Sequence, residues 1–323
     1  MKKLGWTVGL GLAIFVAGLL LLGTRVMGEA TVDAQTPFLI PAGSSLTTVA
    51  RDLETAGHIS SADGFLLYAR VFGSSDPIQA GEFELEPGMS QGDILTMFQS
   101  GDVIRRFITI PEGMPSVLVW ERLMAEELLT GEADVPLEGS VMPDTYSYER
   151  GQSRQSLIDQ MQEAMDLYVS EAWAERSDRT VVSTMREAVT LASIVEKETG
   201  TPSERRTVAG LYSNRLRTGM MLQADPTIIY PITKGKPLGR RIRQSEIAAV
   251  NGYNTYTMLG LPDGPITNPG RESIAAVLNP EDHDYLFMVA DGTGGHEFNE
   301  TLDAHNEAVG RWFQLRRERG EME

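Results

Sequence analysis

The run Leu4–Thr24 carries no charge over 21 residues, and it divides the chain before any other feature does. As a helix it extends ~32 Å, enough to cross a hydrocarbon core. Lys2 and Lys3 precede it, whereas Arg25 is soon followed by Glu29 and Asp33. The positive-inside tendency then keeps residues 1–3 in the cytoplasm and sends the body of the chain outside. A cleaved signal peptide is the alternative, with Val32-Asp33-Ala34 as the processing site. The apolar run is longer than a usual signal core. The expectation is therefore a retained single-pass anchor over 4–26 in the inner (plasma) membrane, with an extracytoplasmic body.

Composition removes several chemistries from that body. There is no cysteine, which excludes disulfides and thiolate catalysis. His58, His283, His296 and His305 show no paired ligand spacing, so no metal is expected. No glycine-rich phosphate loop occurs, and no cofactor is expected. A net charge of -17 argues against nucleic acid and against docking on anionic headgroups. The roughly 290 residues after the anchor suit about two domains.

Residues 27–36 are small and polar and read as a tether. An alternating strand, a Pro/Gly turn and a helix then recur from near 38, 83 and 107, at Phe38–Ser45, Phe83–Ser90 and Ile108–Met114. Their uneven spacing is not that of a solenoid and predicts a small α+β module. Helices are expected over Leu46–Ala56, capped by Ser44 or Ser45 and ended by Gly57, and over Ser61–Phe72. The first unit resembles a LysM-like module covering 37–104, which implies binding of cell-wall glycan; an ordinary α+β unit is the alternative. A connecting strand–helix segment, 105–136, ends in a linker over Leu129–Pro136. In the last domain, 137–323, helices are expected over Ser153–Ser170, Thr180–Thr199 and Ser203–Thr218, the last capped by Ser203. Loops follow from Met221. A short helix over Glu272–Leu278, a strand over Tyr285–Ala290, a turn at Gly294-Gly295-His296 and a helix over Thr301–Arg319 close the chain. The fold class is mixed α+β.

Within that domain the segment Leu191–Thr199 places two acids at the end of an apolar helical run. At about 100° per residue, Leu191, Ile194 and Val195 lie within roughly 60° of Glu198, with Ala188 close by. Glu196 lies about 160° away, towards solvent, so the two acids do not form a pair. A carboxyl among apolar neighbours holds its proton to higher pH and can donate it. Glu198 is thus a candidate general acid, with Glu196 the alternative. The plain alternative is a helix-end carboxylate paired with Arg205.

After the anchor the chain resembles the endolytic murein transglycosylase (MltG, YceG-like) family essentially throughout, most strongly from 137 to 306. The resemblance rests on Leu137-Glu138-Gly139, Met142-Pro143-Asp144-Thr145-Tyr146, Ala192–Thr199, Asn214-Arg215-Leu216, Leu222–Thr227, Tyr253–Tyr256, Gly260–Gly270 and Val289–Phe298. Ser140 and Val141 depart from it, where the family carries bulkier side chains. The resemblance implies a lyase that cuts the MurNAc–GlcNAc bond within peptidoglycan strands. In that chemistry one acid, here Glu198, protonates the glycosidic oxygen. The sugar's own C6 hydroxyl then closes a 1,6-anhydro ring, so no second carboxylate is needed, unlike in ordinary glycosidases.

Further site residues follow from the same stretches. Gln223 and Asp225 are candidates for contacting sugar or stabilising positive charge, with Asp225 as a helix cap the alternative. Tyr253, Asn254 and Tyr256 form an aromatic–amide cluster suited to sugar faces and acetamido groups; a packed tyrosine is the alternative. His296 reads as a substrate contact or a structural hydrogen-bonder, and Arg215 as the partner of a carboxylate. The expected partners are glycan strands and, near the membrane, peptidoglycan synthases. A muramidase-type hydrolase and a non-catalytic wall-binding scaffold are the competing functions.

Overall fold

The computed structural model describes residues 30–321. The expected anchor and cytoplasmic tail lie outside the described residues. Among the described residues no helix is long and apolar enough to cross a membrane. The chain divides into two compact units, one holding the described residues through Arg106 with Ser147–Gly151, the other Phe107–Tyr146 with Gln152 onward.

The first unit is built on strands β1 (Thr36–Ile40) and β2 (Gly81–Leu85), paired antiparallel with Phe38 opposite Phe83. Helices α1 (Leu46–Thr55) and α2 (Ala62–Phe72) join them, and α3 (Gln91–Ser100) follows. Serines start all three helices by accepting a backbone N–H two or three residues inside: Ser45 from Thr48, Ser61 from Gly64 and Ser90 from Asp93. The core is aromatic, with Phe98 stacked 5.7 Å from Phe38 and 4.8 Å from Phe83. The tether reading of 27–36 needs correction at its end. Ala30 and Val32 are buried in this core, and the Ala30 and Thr31 N–H groups donate to Met89 and His58. Small apolar residues can fill a core edge as readily as they can make a linker.

Strands β3 (Arg106–Thr109) and β4 (Thr145–Tyr148), most of whose residues belong to the second unit, form a two-stranded sheet. Helices α4 (Ser116–Met124) and α5 (Arg154–Ala174) precede the central helix α6 (Met185–Glu198). α6 starts later than expected because Thr184 and Glu187 form a reciprocal capping box, at 3.1 and 3.2 Å. Every residue from Ala188 to Val195 is buried. The helix is enclosed on all sides, so a one-sided reading of its faces was too simple. α7 (Arg205–Arg217) and α10 (Arg271–Leu278) pack on it. The predicted cap Ser203 instead lies in a 3-10 turn, Pro202–Glu204, before α7.

Two helices arise where loops were expected, α8 (Asp225–Thr233) and the single turn α9 (Gln244–Ile247). Pro226 occupies the first turn of α8, where it needs no donor. The turn predicted at Gly294–His296 is present at Gly294 and Gly295, with His296 already in strand β6 (His296–Asn299), antiparallel to β5 (Phe287–Ala290). Helix α11 (Leu302–Glu318) follows. The segment Leu129–Pro136 is not a free linker either. Leu129 is buried, and Trp120 Nε1 donates to the Ala133 carbonyl at 2.8 Å.

One buried side chain ties distant segments of this unit together. Asn268 accepts from Val141 N–H at 3.0 Å and donates to the Met114 carbonyl at 2.9 Å and to Ser116 Oγ at 3.0 Å. Glu138 adds a second tie by accepting the Ser116 N–H at 2.8 Å, which closes the otherwise uncapped start of α4. Burial raises the Glu138 carboxyl pKa, with these hydrogen bonds opposing it.

Candidate active site

Glu198 is the last residue of α6, where the enclosed helix meets α7 and α8. Burial pushes its carboxyl pKa up to about 7, helped by the negative Asp225; the Tyr212 hydroxyl and the Arg215 guanidinium act the other way. Its Oε1 is buried without a hydrogen-bond partner. A protonated carboxyl in this place carries a proton with no protein acceptor, which suits donation to an incoming oxygen.

The neighbours come from three elements. Tyr212 and Arg215 lie on α7, three residues apart and so on one face. Tyr212 is fully enclosed, and burial together with the Glu198 charge raises its hydroxyl pKa well above normal. Arg215 is spent on backbone carbonyls rather than on a carboxylate as expected. Its Nε donates to Leu286 at 2.7 Å and its Nη1 to Leu222 at 2.6 Å. These bonds hold a buried cation beside the acid. Asp225 opens α8 but does not cap it with its side chain. Its Oδ1 accepts the Tyr256 hydroxyl at 2.6 Å instead. Asp225 is exposed, so the pair of carboxyls combines one buried and one solvent-facing group.

The other sequence candidates separate. Gln223 is exposed and holds a left-handed φ of 50°, an uncommon conformation for a side-chain-bearing residue. Its N–H donates to Thr255 at 3.1 Å. Tyr253 packs against Tyr230, ring centres 4.8 Å apart, as the packed-tyrosine alternative foresaw. Asn254 is buried, and its amide donates to Ile247 and Ala249 at 2.9 and 2.7 Å while accepting Tyr256 N–H at 3.0 Å. It shapes the loop and has no amide free for an acetamido group. His296 Nδ1 sits 2.8 Å from Glu204 Oε2, and its N–H donates to Oε1 at 2.8 Å. Thr199 Oγ1 donates to the same Oε2 at 3.1 Å. The histidine therefore straps β6 to the residue that follows Glu198. Gly295 permits this approach, since a Cβ there would lie 2.6 Å from Glu204 Oε1.

Glu196 does not face solvent. Its side chain is 6% exposed, 3.7 Å from Arg205, and Oε2 accepts Gly270 N–H at 2.9 Å. The helix is covered on that side too, so an acid placed away from Glu198 still meets protein. Arg205 pairs with Glu112 at 2.9 Å and with Glu196, which leaves the proposed Arg205–Glu198 pairing unmade.

Sequence reasoning missed two features of this site. Tyr212 was read only as part of an apolar stripe; its single hydroxyl on a buried face was the available signal. Asp225 was a candidate for stabilising positive charge, but its effect on the Glu198 pKa was not expected, because it comes from another helix and no spacing along α6 reveals that.

Residues 38–311 match the YceG-like family. An endolytic murein transglycosylase of Bacillus subtilis is 28% identical over 95% of this chain and 93% of its own length. One from Streptococcus pneumoniae is 31% identical over 79% of this chain and 54% of its own length. The crystal structure of a YceG-like protein from Listeria monocytogenes, 28% identical, matches with a TM-score of 0.54 over 85% of this chain and 99% of that one.

Proposed function

The chain belongs to the YceG-like family, and from that membership we propose that it is an endolytic murein transglycosylase with Glu198 as its acid. The observation that carries this reading is the Glu198 carboxyl, buried, raised to about 7 and with an unpartnered oxygen. At neutral pH a large fraction of it is protonated. Glu198 donates that proton to the oxygen between N-acetylmuramic acid and N-acetylglucosamine, and the C1–O bond breaks. Positive charge develops on the muramyl ring beside the Asp225 carboxylate, which favours it electrostatically. The ring's C6 hydroxyl attacks C1 and gives its proton to Glu198, now a carboxylate. The acid is thereby regenerated and a 1,6-anhydro end is left. Glu196, held by Gly270 and Arg205, is not the donor in this scheme.

Asp225 also favours a second reading. With a second carboxyl close enough to raise the Glu198 pKa, Asp225 can instead activate water, and the product is then a hydrolytic muramidase's reducing end. Mass spectrometry of glycan fragments released by the purified protein separates the two. We expect internal cuts with anhydro ends; ends heavier by one water would establish hydrolysis, and no cutting would leave only wall binding.

The supporting parts fit the same reading. The β1–α1–α2–β2 arrangement of the first unit fits a LysM-like hold on glycan. Residues 4–26 would anchor the chain, with the catalytic unit on the wall side and synthases as neighbours.

A further inference from the structure

A pocket of about 520 Å³ lies in the second unit, and two of its lining residues adjoin the acid site in sequence. Lys197 precedes Glu198, and Pro226 follows Asp225. The remaining wall is aliphatic, made chiefly by Met114, Pro115, Leu118, Ile229, Leu238 and Ile266. Its floor depends on Gly235, which turns the chain out of α8 at a φ of 83°; a Cβ there would lie 2.7 Å from Pro115 Cβ.

The lining does not favour a stacked sugar ring. None of the lining residues is aromatic, so there is no ring face for a pyranose to stack on. The charges indicate what fits instead. Glu112 on the rim is bound by Arg205 at 2.9 Å, and Lys236 is bound by Glu121 at 2.5 Å. Lys197 differs. Its Nζ reaches only the Gly113 carbonyl, at 3.5 Å, and among the described residues no carboxylate lies within ion-pair distance of it. An aliphatic cavity with one uncompensated ammonium suits a ligand that is aliphatic and anionic.

We infer that this pocket binds the acidic stem peptide carried by the muramyl residue, with Lys197 pairing to a peptide carboxylate. This rests on the murein reading above and extends it from the cut bond to the substituent beside it. The peptide leaves the sugar through its lactyl group, close to the scissile bond. A peptide site on the segments that carry Glu198 and Asp225 therefore selects which muramyl unit is presented for cleavage. Lys197 would act as a specificity determinant that never touches the reacting atoms.

The test compares cleavage of peptide-bearing glycan strands with strands stripped of peptide by an amidase. A single exposed ion pair to the peptide gives about a two- to fivefold lower KM on peptide-bearing strands in the wild type. In Lys197→Ala and Lys197→Glu that ratio falls to about one, and in Lys197→Arg it survives. A wild-type ratio of one, or a ratio that persists in Lys197→Ala, overturns the inference. Should neither substrate be cut, the glycosidic reading fails by itself. Calorimetry with a soluble acidic muramyl peptide then decides the pocket. Tighter binding by wild type than by Lys197→Ala supports it, and equal binding overturns it.

Discussion

Glu198→Gln abolishes strand cleavage while leaving strand binding intact. The amide keeps the size and shape of the carboxyl but has no proton to give. General acid–base groups contribute on the order of 10²–10⁴ in rate. Here one group serves as acid and then as base, so the loss in kcat falls at the upper end of that range. Unfolding is not a rival explanation for such a loss. The Glu198 pKa is about 7 in the folded protein against an ordinary 4.5. The native state thus holds the proton more tightly, and stability declines as pH rises from 4.5 through 7. The loss is about 3 kcal/mol. Glutamine cannot ionise and escapes it, so at pH 8 the variant unfolds at an equal or higher temperature than the wild type. Turnover and strand co-sedimentation, measured with thermal melts on the same preparations, check the result. Wild-type turnover in the variant would remove Glu198 from the chemistry.

The second large effect is structural. Asn268→Ala removes three side-chain hydrogen bonds, to the Val141 N–H, the Met114 carbonyl and Ser116 Oγ. The Met114 carbonyl keeps the Asn268 N–H and Ser116 Oγ keeps the Leu137 carbonyl, so the buried Val141 N–H is the group left orphaned, at a cost of about 1–3 kcal/mol. For a unit of this size that lowers Tm by about 2–12 °C. Asn268→Asp keeps an acceptor for Val141 but loses both donations, and its melt should fall between wild type and alanine only if the Val141 bond matters. Melting curves that coincide with wild type would show that water or neighbouring groups replace the amide.

These two residues differ in how far the sequence exposed them. Glu198 was legible because a charge at the end of an apolar run is a local anomaly, and helical spacing says which neighbours surround it. The serine-capped helices of the first unit were legible for the same reason, since Ser45 and the glycine after the helix are local signals. Tyr212 was not, and Asp225 was legible as a candidate for stabilising charge but not as a neighbour of Glu198. Each gains its meaning from Glu198 on another helix, and no one-dimensional period reports that meeting. Glu196 was misjudged because a helical wheel assumes one solvent side, whereas the covering chain at Gly270 and Arg205 closes both. α8 appeared in the sequence only as the helix that Asp225 would cap, since the segment from Met221 is rich in loop signals, although proline in a first turn costs no hydrogen bond. Asn254 and His296 were attractive as polar residues in turn-rich segments. Their hydrogen bonds show them fixing loops, the latter through Glu204 to Thr199, next to the acid.

The central claim is a carboxyl kept partly neutral at physiological pH by its burial. Carbon-13 NMR titration of the glutamate carboxyls, with Glu198→Gln to assign the missing resonance, reads it directly. The resonance of Glu198 should titrate with a midpoint near 7, and a midpoint at or below the ordinary 4.5 would contradict the claim.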